Sequence, residues 1–194
     1  MTKNTLLNIA ILISRLLKII LIVTAIGLTS LFIYVQVDKK TFGGEEIILS
    51  DNVRLLGITN IYSTVWKDNN DNRYDLKPYT FEKLKTVSLY VNFFKILIIM
   101  ILMFLIIRAF ERVMLSVKNL NTFTRNNVKL FRRIGIYIVF VAILTSYTVL
   151  RFENGNQTMS HISLTPVICI ILAFIMAEIF KEGEDLKQEN NLTI

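Results

Sequence analysis

Cysteine, histidine and proline are scarce in this chain, and their scarcity excludes several classes of site. The single cysteine, Cys169, cannot form an intramolecular disulfide and belongs to no paired-thiol metal or redox motif. The single histidine, His161, excludes metal sites built on several imidazoles. No Walker loop, Gly-x-Gly-x-x-Gly, His-Glu-x-x-His or nucleophile–base motif is present. We therefore expect no catalytic residues, no cofactor and no metal, and so no enzyme.

Apolar residues, in contrast, are abundant and form long blocks. They make up 53% of the 194 residues and fall into four segments. Each segment approaches the roughly 20 residues that a helix needs to cross a hydrocarbon core about 30 Å thick. Backbone groups in lipid must be hydrogen-bonded within the chain, so these segments should be helices. The sequence predicts an all-α integral membrane protein, a single domain with helices near 13–37, 88–118, 124–150 and 162–183.

The distribution of charge predicts the orientation in the membrane. The net charge is +7, and the segment 108–133 holds seven basic residues and one acid, Glu111. Because Lys and Arg are enriched in cytoplasmic loops, this basic loop and both termini should be cytoplasmic. The loop 38–87 has eight basic and eight acidic residues and should be extracytoplasmic. The expected location is the cytoplasmic membrane, which the chain crosses several times, with the lipid bilayer as its main partner.

Local signals predict structure in both loops. The runs EEIILS, VRLLGI and NIYSTVW, within residues 45–66, indicate a small strand-containing cap on the extracytoplasmic side. In the basic loop, Asn119-Leu120-Asn121 predicts a break after the second helix. Thr124 is a candidate N-cap of the third helix. Near the end of the fourth helix, Gly183 would allow a bend.

Two charged residues lie within predicted membrane helices and are candidates for a function in the membrane. Lys95 belongs to the second helix, and the alternative is that its long stem extends to the outer interface. Glu178 lies near the cytoplasmic end of the fourth helix, where it could face Arg108 or Arg133 at the same depth.

The end of the chain is acidic, opposite in charge to the basic loop. Residues 181–194, KEGEDLKQENNLTI, contain two basic and four acidic residues. This tail is either a solvated extension of the fourth helix, or a segment that folds against the basic loop or docks a soluble partner. The candidate docking residues of loop and tail are Arg125, Lys129, Arg132, Arg133, Glu182, Glu184, Asp185, Glu189, Leu192 and Ile194.

Two segments carry a resemblance to a known family, NTFTRNNVKLFRRIG at 121–135 and AEIFKEGEDLKQENNLTI at 177–194. They are similar to bacterial four-helix membrane proteins of domain-of-unknown-function family 2975, although Thr122 and Asn126 replace the usual Pro and Glu. Members are often found beside a small helix-turn-helix regulator of the Xre type. The resemblance therefore implies a four-helix membrane protein that holds or controls such a regulator. The matching positions are Phe123, Thr124, Asn127, Val128, Arg133, Ile134, Gly135, Ala177, Phe180, Gly183, Leu186, Glu189, Leu192, Thr193 and Ile194.

Two classes of function stay open at this point. The first is a membrane-anchored regulatory or interaction protein. The second is a small transporter, channel or export accessory subunit, which would need a polar pathway. The polar residues available for a pathway are scattered: Lys95, Thr145, Ser146, Thr148 and Thr165. We expect no direct nucleic-acid partner, because topology and attraction to anionic headgroups explain the basic loop.

Overall fold

The computed structural model describes residues 3–37, 47, 49, 57–65 and 79–192. Its elements are α1 (Lys3–Val37), β1 (Gly57–Val65), α2 (Thr86–Lys118), α3 (Arg125–Ser146), β2 (Tyr147–Arg151), β3 (Gly155–Ser163) and α4 (Leu164–Leu192). Among the described residues, α1, α2 and α4 are the helices long and apolar enough to cross a membrane. Their apolar side chains are largely uncovered by protein: Val23 and Ile26 of α1 are each 62% exposed. Such surfaces require an apolar solvent, which the bilayer supplies.

The prediction of four membrane helices is thus confirmed for three, and α3 is the exception. Its first half is basic, and its apolar part begins only at Ile134. The stretch from Ile134 to Ser146 would span roughly 20 Å, short of the roughly 30 Å hydrocarbon core. The last four residues of the apolar block predicted to end this helix, Tyr147 to Leu150, belong to β2 instead.

The strands form a three-stranded antiparallel sheet in the order β1-β3-β2. Gly57 pairs with Ser163 at one end of the β1–β3 ladder, and Val65 pairs with Gly155 at the other. Gly155 is required there, because a Cβ at this position would overlap the carbonyl oxygen of Thr64. β1 confirms a strand at the NIYSTVW run, whereas most of the EEIILS and VRLLGI runs lie outside the described residues. β3 includes residues 162 and 163, which were predicted to begin the fourth helix.

The chain divides into two compact units. Unit 1 comprises residues 1–24, 99–142 and 165–194. Its core joins α2, α3 and α4 through Val113, Phe131 and the small Ala177, which is fully buried. Small residues such as alanine let membrane helices approach one another closely. The remaining core residues of unit 1 are Ala109, Val128, Leu130, Ile134, Ala173 and Phe180.

Unit 2 comprises residues 25–98 and 143–164. Its core is formed by Phe152, which is fully buried, with Tyr79 and Leu84. Tyr79 meets Phe152 edge-on, with ring centroids 5.3 Å apart. Phe32 of α1 stacks on Phe93 of α2, with centroids 3.8 Å apart, and this contact fastens these two helices within the unit.

The turn between α2 and α3 confirms the predicted break. Leu120 has a left-handed φ of 60°, and the amide of Asn121 donates to the carbonyl of Ser116, as in a Schellman ending of a helix. Asn127 is fully buried, and its Nδ2 donates to Ser116 Oγ at 2.9 Å and to the Thr122 carbonyl at 2.7 Å. Thr124 acts as the predicted N-cap, because its Oγ1 accepts from the Asn127 amide at 3.4 Å.

Candidate functional site

The charged groups of unit 1 begin with Glu111, which links α1 to α2. Glu111 is 8% exposed, and its carboxylate accepts from Arg15 Nε at 3.1 Å and from Lys18 Nζ. Arg15 and Lys18, two basic residues of the apolar helix α1, therefore pair with Glu111, the acid of the basic segment 108–133. The sequence analysis did not predict this pairing. Charges inside apolar segments require partners, so the sequence indicated that Arg15 and Lys18 are paired but not with which acid.

Glu178 connects α4 to α3 through a different arginine from the predicted one. Its Oε1 accepts from Arg132 at 2.7 Å, and its Oε2 lies 3.7 Å from Lys181 Nζ. The prediction named Arg108 or Arg133. One residue turns a helix by roughly 100°, so Arg132 and Arg133 lie on different faces of α3. Arg133 instead lies beside Arg108.

An aromatic joint (Phe123, Phe180 and Gly183) attaches the α2–α3 turn to α4. A Cβ at Gly183 would overlap the ring of Phe123, so the missing side chain is what allows the ring to lie against the helix. Phe180 is buried beside both Phe123 and Phe131, with centroid distances of 5.7 and 4.9 Å. The joint therefore fixes the start of the tail against the start of α3.

The tail continues α4 as a helix to Leu192 instead of ending near residue 183. Glu182, Asp185 and Glu189 follow a three-and-four spacing and are exposed, as is Leu186, at 62%. Glu184 is half-buried. Neither the side chain of Leu192 nor Ile194 is among the described residues, so their predicted docking role stays a prediction.

The basic candidates lie on α3. Arg125 and Lys129 are exposed in its first two turns, one helical turn apart on the same face. Arg132 continues this side toward α4, where it pairs with Glu178. An exposed basic face of α3 and an exposed acidic face of the α4 tail are therefore both parts of unit 1.

Lys95 belongs to unit 2 and binds the backbone of β2. Its Nζ donates to the Tyr147 carbonyl at 2.9 Å and to Thr148 Oγ1 at 2.7 Å. It thus fastens α2 to the strand that follows α3. In the described part of the chain, no group of three His, Cys, Asp or Glu side chains is placed to hold a metal ion.

Residues 74–194 match the family model DUF2975, which is described as a protein of unknown function. The chain belongs to this family. No curated protein and no solved structure matches it. Membership confirms the resemblance carried by the segments 121–135 and 177–194. A chemical activity does not follow from it, since the DUF2975 description assigns none.

The structure explains what several DUF2975-like positions do in this chain. Phe123, Phe180 and Gly183 make the aromatic joint. Asn127 holds the α2–α3 turn, and Gly135 lies against the ring of Phe174, where a Cβ would approach to 3.0 Å. These are packing and capping roles. In this chain, these positions therefore attach the beginning of α3 to α4.

Proposed function

We propose that this protein is a membrane-anchored interaction protein, which binds a soluble helix-turn-helix regulator at the cytoplasmic face of the membrane. The observation that carries the proposal is the α4 tail. It continues a membrane-spanning helix into an exposed acidic helix, and the aromatic joint holds its base against the basic start of α3. A charged helical extension of an anchored helix suits recognition of a protein.

The proposal requires α3 to return the chain across the membrane. α3 begins seven residues after α2 ends and continues directly into β2. β2 belongs to the same sheet as β1, which lies between α1 and α2 in the chain. Chain connectivity therefore supports α3 as a fourth crossing, shortened by the basic residues at its start. Local thinning of the bilayer can accommodate such a short apolar stretch.

With four crossings, the excess of positive charge supports a cytoplasmic position for the α2–α3 segment and both termini. The docking surface then consists of Arg125 and Lys129 on α3 and of Glu182, Asp185, Leu186 and Glu189 on the α4 tail. A matching partner carries basic residues around an apolar recess for Leu186, opposite the tail, and acidic residues opposite Arg125 and Lys129. The DNA-binding face of a helix-turn-helix protein is basic, because it neutralises phosphates. The acidic tail would compete with DNA for that face.

The test is affinity capture of the tagged full-length protein from its native cells in mild detergent, with captured proteins identified by mass spectrometry. The variant Glu182→Lys/Asp185→Lys reverses two exposed charges of the tail. The matched control, Glu82→Lys/Glu153→Lys, reverses two exposed acids of unit 2. We expect the wild type and the control to capture a helix-turn-helix protein, and the tail variant to lose it.

Recovery of the same regulator with the tail variant would contradict docking on the tail. Capture of no such regulator by the wild type would contradict the proposed function. The alternative, a transporter or channel, predicts that polar residues such as Thr145 and Thr165 face water. Cysteine substitution and labelling at these two positions would test it, because lipid-facing or packed cysteines do not react with polar reagents.

A further inference from the structure

Three arginines of unit 1 line one cleft. Arg108 and Arg112 are four residues apart on α2, so they share a face, and Arg133 lies on α3. Tyr137 follows Arg133 by one helical turn and lines the same cleft, which has a volume of about 250 Å³. The other walls are Leu105, Ala109 and Leu130.

The positive charge of this arginine cleft is not neutralised within the described residues. No salt bridge there joins any of its three arginines to an acidic side chain. The acid nearest in sequence, Glu111, is engaged by Arg15 and Lys18 of α1 through both of its oxygens. Among the described residues, the cleft therefore presents to a bound ligand three guanidinium groups that no carboxylate neutralises.

The cleft lies where apolar sequence gives way to polar sequence on both helices. On α2, the apolar run from Ile96 to Ile107 ends immediately before Arg108. On α3, Arg133 immediately precedes the apolar run that begins at Ile134. Basic residues at such a boundary lie at the depth of the lipid headgroups.

The chemistry of the cleft selects phosphate. A guanidinium group is planar, keeps its charge and binds phosphate oxygens in pairs, and a tyrosine hydroxyl adds a further donor. The volume is below the roughly 300–1,000 Å³ of sites for drug-sized ligands, so it suits a headgroup phosphate and not a whole lipid. A zwitterionic headgroup would bring its own cation beside three arginines, which disfavours it.

We propose that the arginine cleft binds the phosphate of an anionic phospholipid in the adjacent leaflet. The glycerol and acyl chains lie against the apolar surfaces of α2 and α3. Basic pockets between membrane helices bind anionic headgroups in this way. The site is separate from the docking surface and does not depend on the proposed function. It assigns Arg133, a candidate docking residue by sequence, to the lipid.

The test is native mass spectrometry of the delipidated full-length protein, titrated with phosphatidylglycerol, phosphatidylcholine or soluble glycerol phosphate. The variant is Arg108→Gln/Arg112→Gln. The control, Arg125→Gln/Lys129→Gln, removes two exposed charges of unit 1 outside the cleft. We expect the cleft variant to weaken phosphatidylglycerol binding about tenfold or more, and the control less than about twofold.

Three results would overturn the site. If the cleft variant and the control lost phosphatidylglycerol binding equally, the lipid would be held by general attraction to positive charge and not by the cleft. If phosphatidylcholine bound as tightly as phosphatidylglycerol, the cleft would not select anionic headgroups. Saturation by glycerol phosphate at the same concentration as phosphatidylglycerol would indicate a soluble phosphate compound as ligand.

Because the double variant could fail to fold, Arg133→Lys provides a second readout. It keeps the positive charge but loses the paired contacts to phosphate oxygens, so phosphatidylglycerol binding should weaken about threefold at an unchanged unfolding temperature. Unchanged binding would also contradict the proposal.

Discussion

At the scale of the residue, the position of the tail depends most directly on Gly183. A methyl group there would overlap the ring of Phe123, whereas Gly27 of α1 has no atom within 4 Å of an added Cβ. Elsewhere in a helix, Gly→Ala usually stabilises, by about 1 kcal/mol. At Gly183 the Phe123 ring must move to make room for the methyl group, so Gly→Ala should destabilise the protein instead.

We predict that Gly183→Ala lowers the free energy of unfolding by about 1–3 kcal/mol, the usual cost of overpacking. Gly27→Ala is the matched control and should be neutral or stabilising. Thermal unfolding of both variants in the same detergent, followed by circular dichroism, measures the difference. Equal unfolding temperatures would show that Phe123 does not rest on Gly183.

Residue-scale pairings were the hardest part to predict from the sequence. The capping of α3 by Thr124 and the break at Leu120 depend on short-range signals, and the structure confirms both. The partner of Glu178 depends on the rotation of α3, and an error of one residue moves the expected arginine to another face. The pairing of Glu111 with α1 required knowing which helices are neighbours, which the sequence does not contain.

At the scale of the element, the free edge of β2 is covered by a polar stripe on α2, formed by Ser88, Asn92 and Lys95. Asn92 Nδ2 donates to the Val149 carbonyl at 2.9 Å, and Ser88 Oγ accepts from the Arg151 amide at 3.0 Å. β2 lies at the edge of the sheet, where backbone groups would otherwise lack partners. Lys95 completes the stripe, which gives its charge a structural role.

We predict that Lys95→Met destabilises the protein by about 1–3 kcal/mol, because the Tyr147 carbonyl loses its charged donor. Lys95→Arg keeps hydrogen-bond donors at the end of a long side chain, so it should lower the free energy of unfolding much less than Lys95→Met. Chemical or thermal unfolding of both variants in one detergent gives the comparison. A Lys95→Met protein as stable as the wild type would mean that the ammonium group does not support β2.

β2 and β3 show why the end of α3 and the start of α4 were predicted wrongly from the sequence. Tyr147 to Leu150 continue an apolar run, so hydropathy alone extends α3 through them. Only their pairing with β3, and that of β3 with β1 roughly 100 residues earlier, makes them strands. The same long-range pairing shortens α3. The length of α2 was predictable because its apolar run is uninterrupted by such partners, whereas α1 begins at Lys3, well before its predicted start near residue 13.

At the scale of the whole molecule, the number of crossings determines which surfaces can meet a partner. We propose four crossings because α3 continues directly into β2, which belongs to the same sheet as β1. Four crossings return the α4 tail to the side of the basic α2–α3 segment. Three crossings, with α3 left on one side, would place the tail on the opposite side. The proposed docking surface exists only in the first case.

The most direct test is therefore the side of the membrane on which the tail lies. In a Cys169→Ser background, single substitutions Ser63→Cys on β1, Lys129→Cys on α3 and Lys187→Cys on the tail are exposed to a membrane-impermeant maleimide. We predict labelling of position 63 in intact cells, and of positions 129 and 187 only after permeabilisation. Labelling of position 187 in intact cells, with position 129 protected, would contradict the account.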